Sequence, residues 1–166
     1  SSTGLQEIEV TSFVSPKWVP QLSDAVDVSA AIQRNPSVRY TALVPNEIGL
    51  SKAIDSGYES VAFFTTSSET FSRKNTNCTI SESLDTITSL QNQWCENNVR
   101  VRVYISTVWY CPFEGKMSID PLIEIIQKLI DVNIDEISLG DTIGKAERSD
   151  GVSQLYSDAV LQGRGG

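Results

Sequence analysis

Residues 4–22 read GLQEIEVTSFVSPKWVPQL, and the segment EIEVTSF (7–13) inside them is a short β-rich run that predicts a strand. Four more runs of the same kind follow: VRYTALV (38–44), SVAFFTT (60–66), RVRVYIST (100–107) and DEISLGD (135–141). Their mostly unbroken apolar character fits strands covered on both faces, as in a parallel sheet. Helical patterns fall between them. Thr79-Ile80-Ser81-Glu82 is a capping box, followed by Leu84, Ile87, Leu90 and Trp94 at helical spacing. Asp120-Pro121 reads as an N-cap and first helical residue, with Leu122, Ile125, Ile126 and Leu129 forming one apolar stripe behind it. Both stripes predict core.

The strand starts, near 7, 38, 60, 100 and 135, lie about 32 residues apart on average, against roughly 31 per unit in a (β/α)₈ barrel. The chain has room for about five such units. A five-stranded doubly wound sheet has the same alternation, and spacing alone leaves both architectures open.

Composition sets the outer bounds. A length of 166 residues suits one domain, and 40% hydrophobic with 20% charged residues suits a globular protein. With 13 basic and 21 acidic residues the net charge is −8, which argues against nucleic acid as a partner. No apolar run approaches the roughly 20 residues of a membrane helix, so no membrane partner is expected. Cys78, Cys95 and Cys111 are odd in number, widely spaced and without a CxxC, which predicts free thiols in a reducing compartment. Asn77-Cys78-Thr79 matches a glycosylation sequon only formally. There are no histidines, so no histidine-based metal site, triad or proton relay lies wholly within these residues.

Polar residues gather where the predicted strands end. Glu9, Thr11 and Ser12 lie on the first, Asn46 after the second, and Ser67 and Ser68 after the third. Ser106 and Thr107 end the fourth, and Gly140-Asp141-Thr142 closes the fifth. In barrels and open α/β sheets chemistry gathers at these carboxyl ends, although Ser, Thr, Asn and Asp also cap the helices that follow. Glu9 and Asp141 stand out, because a carboxylate at a strand exit can orient a ligand or move a proton.

Five segments carry a closer likeness: EIEVTSFVSPKWVPQLSDA (7–25), LVPNEIGLSKAIDSG (43–57), SSETFSRKNTNCTISESL (67–84), CPFEGKMS (111–118) and EISLGDTIGKA (136–146). Together they resemble the 3-hydroxy-3-methylglutaryl-CoA lyase family from residue 4 to about 160. SFVSPKWVPQ is the most specific piece. PN, SETF and GDTIG are shared more widely, including by the homocitrate and isopropylmalate synthases. The resemblance implies a (β/α)₈ TIM barrel that splits 3-hydroxy-3-methylglutaryl-CoA into acetyl-CoA and acetoacetate. It also implies a divalent cation, Mg²⁺ or Mn²⁺, acting as Lewis acid on the substrate oxygens.

In this family an R-D-G-L-Q motif on the first strand supplies an arginine and a metal-binding aspartate. Gly4-Leu5-Gln6 lacks the Arg-Asp and precedes a different strand, so it is not that motif. The H-x-H and asparagine metal ligands of the family belong to later strands. The chain is therefore expected to cover about strands two to six of eight, with no metal ligand of its own. Residues 1–162 form the expected partial barrel, and GRGG (163–166) matches nothing in the pattern.

Carried over residue by residue, the likeness makes Asp141 a participant in proton transfer at the substrate hydroxyl and Glu9 the acid that holds the family's active-site arginine. Ser12, Phe13, Asn75, Thr142 and Cys111 match positions on the substrate side. Asn75 by itself would read as a turn residue, and Thr142 as a helix cap. Thr107 stands where the family has a second cysteine, and Trp109-Tyr110 where small residues are usual. The implied partner is an acyl-CoA, with room for a homodimer. The implied location is cytoplasmic in a bacterium and the mitochondrial matrix in a eukaryote. Two readings compete: a Claisen synthase of the same superfamily, which SFVSPKWVPQ argues against, and a catalytically silent half-barrel.

Overall fold

A computed structural model describes residues 4–17 and 19–147; Trp18, the helical pattern at 150–161 and the GRGG segment lie outside the described residues. In chain order the elements are β1 (Glu7–Ser12), a short 3₁₀ turn (Pro20–Leu22), α1 (Ala25–Ala31), β2 (Arg39–Leu43), α2 (Glu47–Asp55) and β3 (Ser60–Thr66). There follow α3 (Glu69–Thr76), α4 (Ile80–Ser89), α5 (Gln91–Glu96), β4 (Arg100–Ser106), β5 (Tyr110–Cys111), β6 (Gly115–Lys116), α6 (Asp120–Asp131) and β7 (Glu136–Leu139). Among the described residues five strands form one parallel sheet in the order β1-β2-β3-β4-β7. The order follows the sequence with no reversal. A doubly wound sheet needs a reversal about its switch point, so the barrel alternative is the one observed.

The chain divides into two compact units, one of Ser1–Phe63 with Thr86–Val103 and the other of Phe64–Asp85 with Tyr104–Gly166. In the first unit β1 pairs with β2 in parallel, matching Glu7 to Arg39, Glu9 to Thr41 and Ser12 to Leu43. Partners alternate sides every second residue, yet Glu9 and Ser12 are three apart. A bulge between Glu9 and Thr11 absorbs the extra residue, Val10, and so puts Glu7, Glu9 and Ser12 on one face.

That face is charged at the strand starts. The Arg102 fork grips Glu7 with Nη1–Oε1 at 2.9 Å and Nη2–Oε2 at 3.0 Å. Arg39 Nη1 approaches the same carboxylate at 3.3 Å, and Thr41 Oγ1 donates to it at 3.0 Å. In a flat sheet β1 and β4 would lie about 14 Å apart, because strands are spaced by about 4.8 Å. Their direct meeting suits strand starts that lean together over the intervening strands, as on the inner face of a barrel. An acid in this first run is thus explained by the polar lining it joins.

The apolar core of the same unit rests on fully buried Leu50, Val61, Ala62 and Val101, with the Phe63 ring tilted against Trp94 at 5.8 Å. Gly49 is required by close approach: a Cβ there would sit 2.8 Å from Pro45 Cδ and 3.1 Å from the Phe13 carbonyl oxygen. In the second unit α6 buries Leu122, Ile125, Ile126 and Leu129, the predicted stripe, at roughly 1.5–3 kcal/mol for each side chain.

Several local expectations shift. Helix α6 begins at Asp120 with Ile119 as N-cap, so Asp120-Pro121 sits one position further in than its sequence suggested. Leu84, Ile87, Leu90 and Trp94 are all buried, but a break at Leu90 splits their helix into α4 and α5. Strand β7 is shorter than the run at 135–141. Residues 69–76 form a helix that carries Asn75 in its last turn, so Asn75 is not a turn residue. The capping box is made as read: Thr79 N–H donates to Glu82 Oε2 at 2.7 Å and Glu82 N–H to Thr79 Oγ1 at 3.0 Å. The first of these bonds also holds the Glu82 carboxyl below the usual range.

Candidate functional site

At the exit of β1 the first unit offers Glu9, Ser12 and Phe13. Glu9 is exposed, while Ser12 and Phe13 are buried. The Phe13 ring meets Tyr58 edge-on at 6.0 Å, which accounts for Phe13 as core. Ser12 is different. Its Oγ is buried and has no hydrogen-bond partner among the described residues. Leaving a hydroxyl so costs about 1–3 kcal/mol, a penalty that a ligand or another segment of protein can remove.

The second unit gathers hydroxyl groups at the exits of β3, β4 and β7. They form a connected chain. Ser68 N–H donates to Thr66 Oγ1 at 3.2 Å, the Thr66 and Thr107 hydroxyls share a bond at 2.6 Å, and each also reaches the Ser106 carbonyl, at 3.2 and 2.7 Å. Ser67 Oγ donates to the Thr107 carbonyl at 2.7 Å, and Thr107 N–H to Thr142 Oγ1 at 2.7 Å. Every polar atom of Thr107 is therefore used. Its φ is +57°, a left-handed backbone that costs a β-branched residue about 1–2 kcal/mol.

Asp141 follows directly on β7 and Gly140. A Cβ at Gly140 would lie 3.2 Å from the Ile105 carbonyl, so glycine lets this corner close onto β4. Asp141 Oδ1 accepts from Lys145 N–H at 3.1 Å and Oδ2 from Ala146 N–H at 2.9 Å. These bonds fix the carboxylate, and each oxygen keeps a lone pair for another donor. Among the described residues Thr142 caps no helix, and its hydroxyl accepts from Thr107 N–H.

Cys111 is buried in the small β5–β6 hairpin, with Sγ 3.0 Å from Ser68 Oγ. The hairpin is clasped to the first turn of α3, where Glu114 Oε1 accepts from Thr70 N–H at 2.8 Å. Lys74 Nζ stands 4.1 Å from the centre of the Phe113 ring. The hydroxyl and amide of Thr70 hold the Glu114 carboxyl below the usual carboxylate range. Asn75 is exposed on the same helix. The indole Nε1 of Trp109 is buried without a partner among the described residues.

Two of the strand-end residues turn out to be caps. Asn46 Oδ1 accepts from Gly49 N–H at the start of α2, and Ser68 Oγ from Phe71 N–H at the start of α3. The roles of Thr66 and Thr107 as the centre of the hydroxyl chain were not anticipated; only the polar run TTSS (65–68) signals it in sequence. Among the described residues no group of three or more His, Cys, Asp or Glu side chains could hold a metal ion.

A family model described as HMGL-like matches residues 1–156. A hydroxymethylglutaryl-CoA lyase of Bacillus subtilis is 46% identical over 146 residues, 88% of this chain and 49% of that protein. A mitochondrial hydroxymethylglutaryl-CoA lyase of Macaca fascicularis is 41% identical over 162 residues, 98% of this chain and 49% of its own length. The solved structure of an HMG-CoA lyase from Acinetobacter baumannii, in complex with coenzyme A and 3-methylmalate, matches with a TM-score of 0.89 at 28% identity. That match covers 96% of this chain and 52% of the other. The chain spans about half the length of the curated relatives it matches.

Proposed function

The chain belongs to the HMGL-like family, and from that membership we propose that the protein carrying it is a carbon–carbon lyase, cleaving 3-hydroxy-3-methylglutaryl-CoA into acetyl-CoA and acetoacetate. Its sequential parallel sheet is a partial α/β barrel like those of the HMG-CoA lyase structures. Lyases of this family are metal-dependent, and we assign the ligands of that cation, Mg²⁺ or Mn²⁺, to residues outside this chain. The related complex with coenzyme A supports an acyl-CoA substrate.

The observation that carries the reading is the fixed carboxylate of Asp141 at the exit of β7, held by two loop amides. Cleavage requires the tertiary hydroxyl of the substrate to give up its proton as the neighbouring carbon–carbon bond breaks. The oxygen becomes the ketone of acetoacetate, and the electron pair leaves on the thioester's methylene carbon, which then takes up a proton. Asp141 is the base we assign to the hydroxyl proton. Glu9 is the acid we assign to hold the family's active-site arginine, and Ser12, Phe13, Asn75, Thr142 and Cys111 are the residues we assign to the substrate side. Ser12 Oγ, buried and without a partner among the described residues, is the donor we assign to the ligand.

In the full-length protein, Asp141→Asn keeps shape and one acceptor oxygen but removes basicity. Acetoacetate formation from hydroxymethylglutaryl-CoA is expected to fall by about 10²-fold or more, with KM changed less. Near-normal turnover would remove Asp141 from the proton path.

A further inference from the structure

Thr107 is a β-branched residue held at φ +57°, fully buried, with each of its polar atoms committed. A backbone outlier of this kind persists only when its surroundings over-determine it, and such outliers cluster at functional sites. The bonds that hold it are specific. The Thr66 hydroxyl and the Ser106 carbonyl grip its side chain, and Ser67 grips its carbonyl. The left-handed backbone redirects the chain just where it meets the next strand's exit, and the Thr107 amide there donates to Thr142 Oγ1 at 2.7 Å. The next residue completes the attachment, since Val108 N–H donates to the Gly140 carbonyl at 3.2 Å. Asp141 thus lies between two anchored neighbours, Gly140 and Thr142.

We infer that Thr107 is a positioning residue, whose left-handed backbone fixes the corner carrying Asp141. The inference rests on the proposed role of Asp141, but the contact itself can be read separately. The backbone conformation matters here, and the hydroxyl serves to hold it. Residues that accept a left-handed backbone without that hydroxyl therefore substitute for threonine, whereas a β-branched residue lacking it does not.

The test compares Thr107→Val with Thr107→Asn and Thr107→Gly in the full-length protein. Valine keeps the branch and loses the grip on Thr66 and Ser106. Exchange of the residue-107 amide proton is expected to speed up about tenfold or more. Turnover should drop about tenfold or more, with KM nearly unchanged. Asparagine and glycine are expected to keep the amide protected and turnover within about threefold of the parent. A merely structural need for the hydroxyl predicts that all three variants are impaired alike, so Asn and Gly as impaired as Val would overturn the inference. So would a Val protein with a protected amide and normal turnover. Should Thr107→Val not fold, Thr142→Ala against Thr142→Ser asks the question from the acceptor. Alanine should expose the residue-107 amide and serine should keep it protected, and equal exchange in the two variants overturns the inference. A parent protein without lyase turnover would sink the proposed function alone, and the amide-exchange order would still decide the positioning.

Discussion

The two units solve the problem of buried polarity in opposite ways. At the strand starts of the first, one carboxylate gathers two guanidinium groups and a hydroxyl, with Glu7 22% and Arg102 19% exposed. At the strand exits of the second, no charge takes part in the chain through Thr66 and Thr107; it is built from hydroxyls and amides alone. Charge is strong at a distance and tolerant of angle, so it suits a girder that ties together strands three apart. Neutral hydroxyl bonds are weaker and strict in geometry, which suits a place where an atom must be held to a fraction of an ångström.

The contrast breaks most visibly at Glu7. Glu7→Ala leaves Arg102 without its bidentate partner in a mostly buried setting and is expected to cost about 2–3 kcal/mol, less than for a fully buried pair because water still reaches the site. Urea denaturation of parent and variant measures it. A loss under about 0.5 kcal/mol would show that the pair is worth no more than a surface bridge. Thr66→Val comes next, expected at about 1–2 kcal/mol, since Ser68 N–H is left without its acceptor. Added salt sharpens the difference: the effect of Glu7→Ala should shrink with ionic strength, and that of Thr66→Val should not.

Ser12→Ala should be smaller still and of the opposite sign. Removing a buried hydroxyl with no partner is expected to leave stability unchanged or raise it by up to about 1 kcal/mol, while KM rises if the group meets substrate. A clear loss of stability would mean that Ser12 is bonded within the full protein. The least effect is expected from acid on the hairpin clasp. The folded pKa of Glu114 lies below its ordinary value, so its contribution is complete above about pH 4.5 and fades as pH falls through the lower folded value. Amide exchange at Thr70, followed from neutral pH to pH 3 after correction for the intrinsic rate, should lose protection in that window. Glu114→Gln should flatten the profile.

Much of the fold was legible because it depends on neighbours in sequence. The capping box at Thr79 and Glu82, the stripe on α6 and the five strand runs each need only a local pattern. The short hairpin at 110–116 escaped because its strands have two residues each, too few for any periodicity. Helix α3 escaped because SETFSRKN is polar and reads like a loop. At the site, Asp141 and Ser12 were marked by position at strand ends. Thr107 was marked by position too, but not its conformation, since nothing in a β-branched residue announces a left-handed backbone, and only contacts from three separate strands enforce it. Glu7 was hidden for the same reason: Arg102 lies 95 positions away and meets it only once the strand starts converge.

The bulge in β1 also has a hereditary consequence. Losing the codon for Val10 would turn the bulged strand into a regular one while leaving Glu9 opposite Thr41 and Ser12 opposite Leu43. Loss of Thr11 instead would let Val10 take its place, with the same facing. Strand β2 shows no such spare residue against β3, where Thr41, Ala42 and Leu43 follow Ser60, Val61 and Ala62 one for one. A one-codon deletion there would throw every later side chain to the wrong side. Gene length can drift by one at the first strand and is locked at the second.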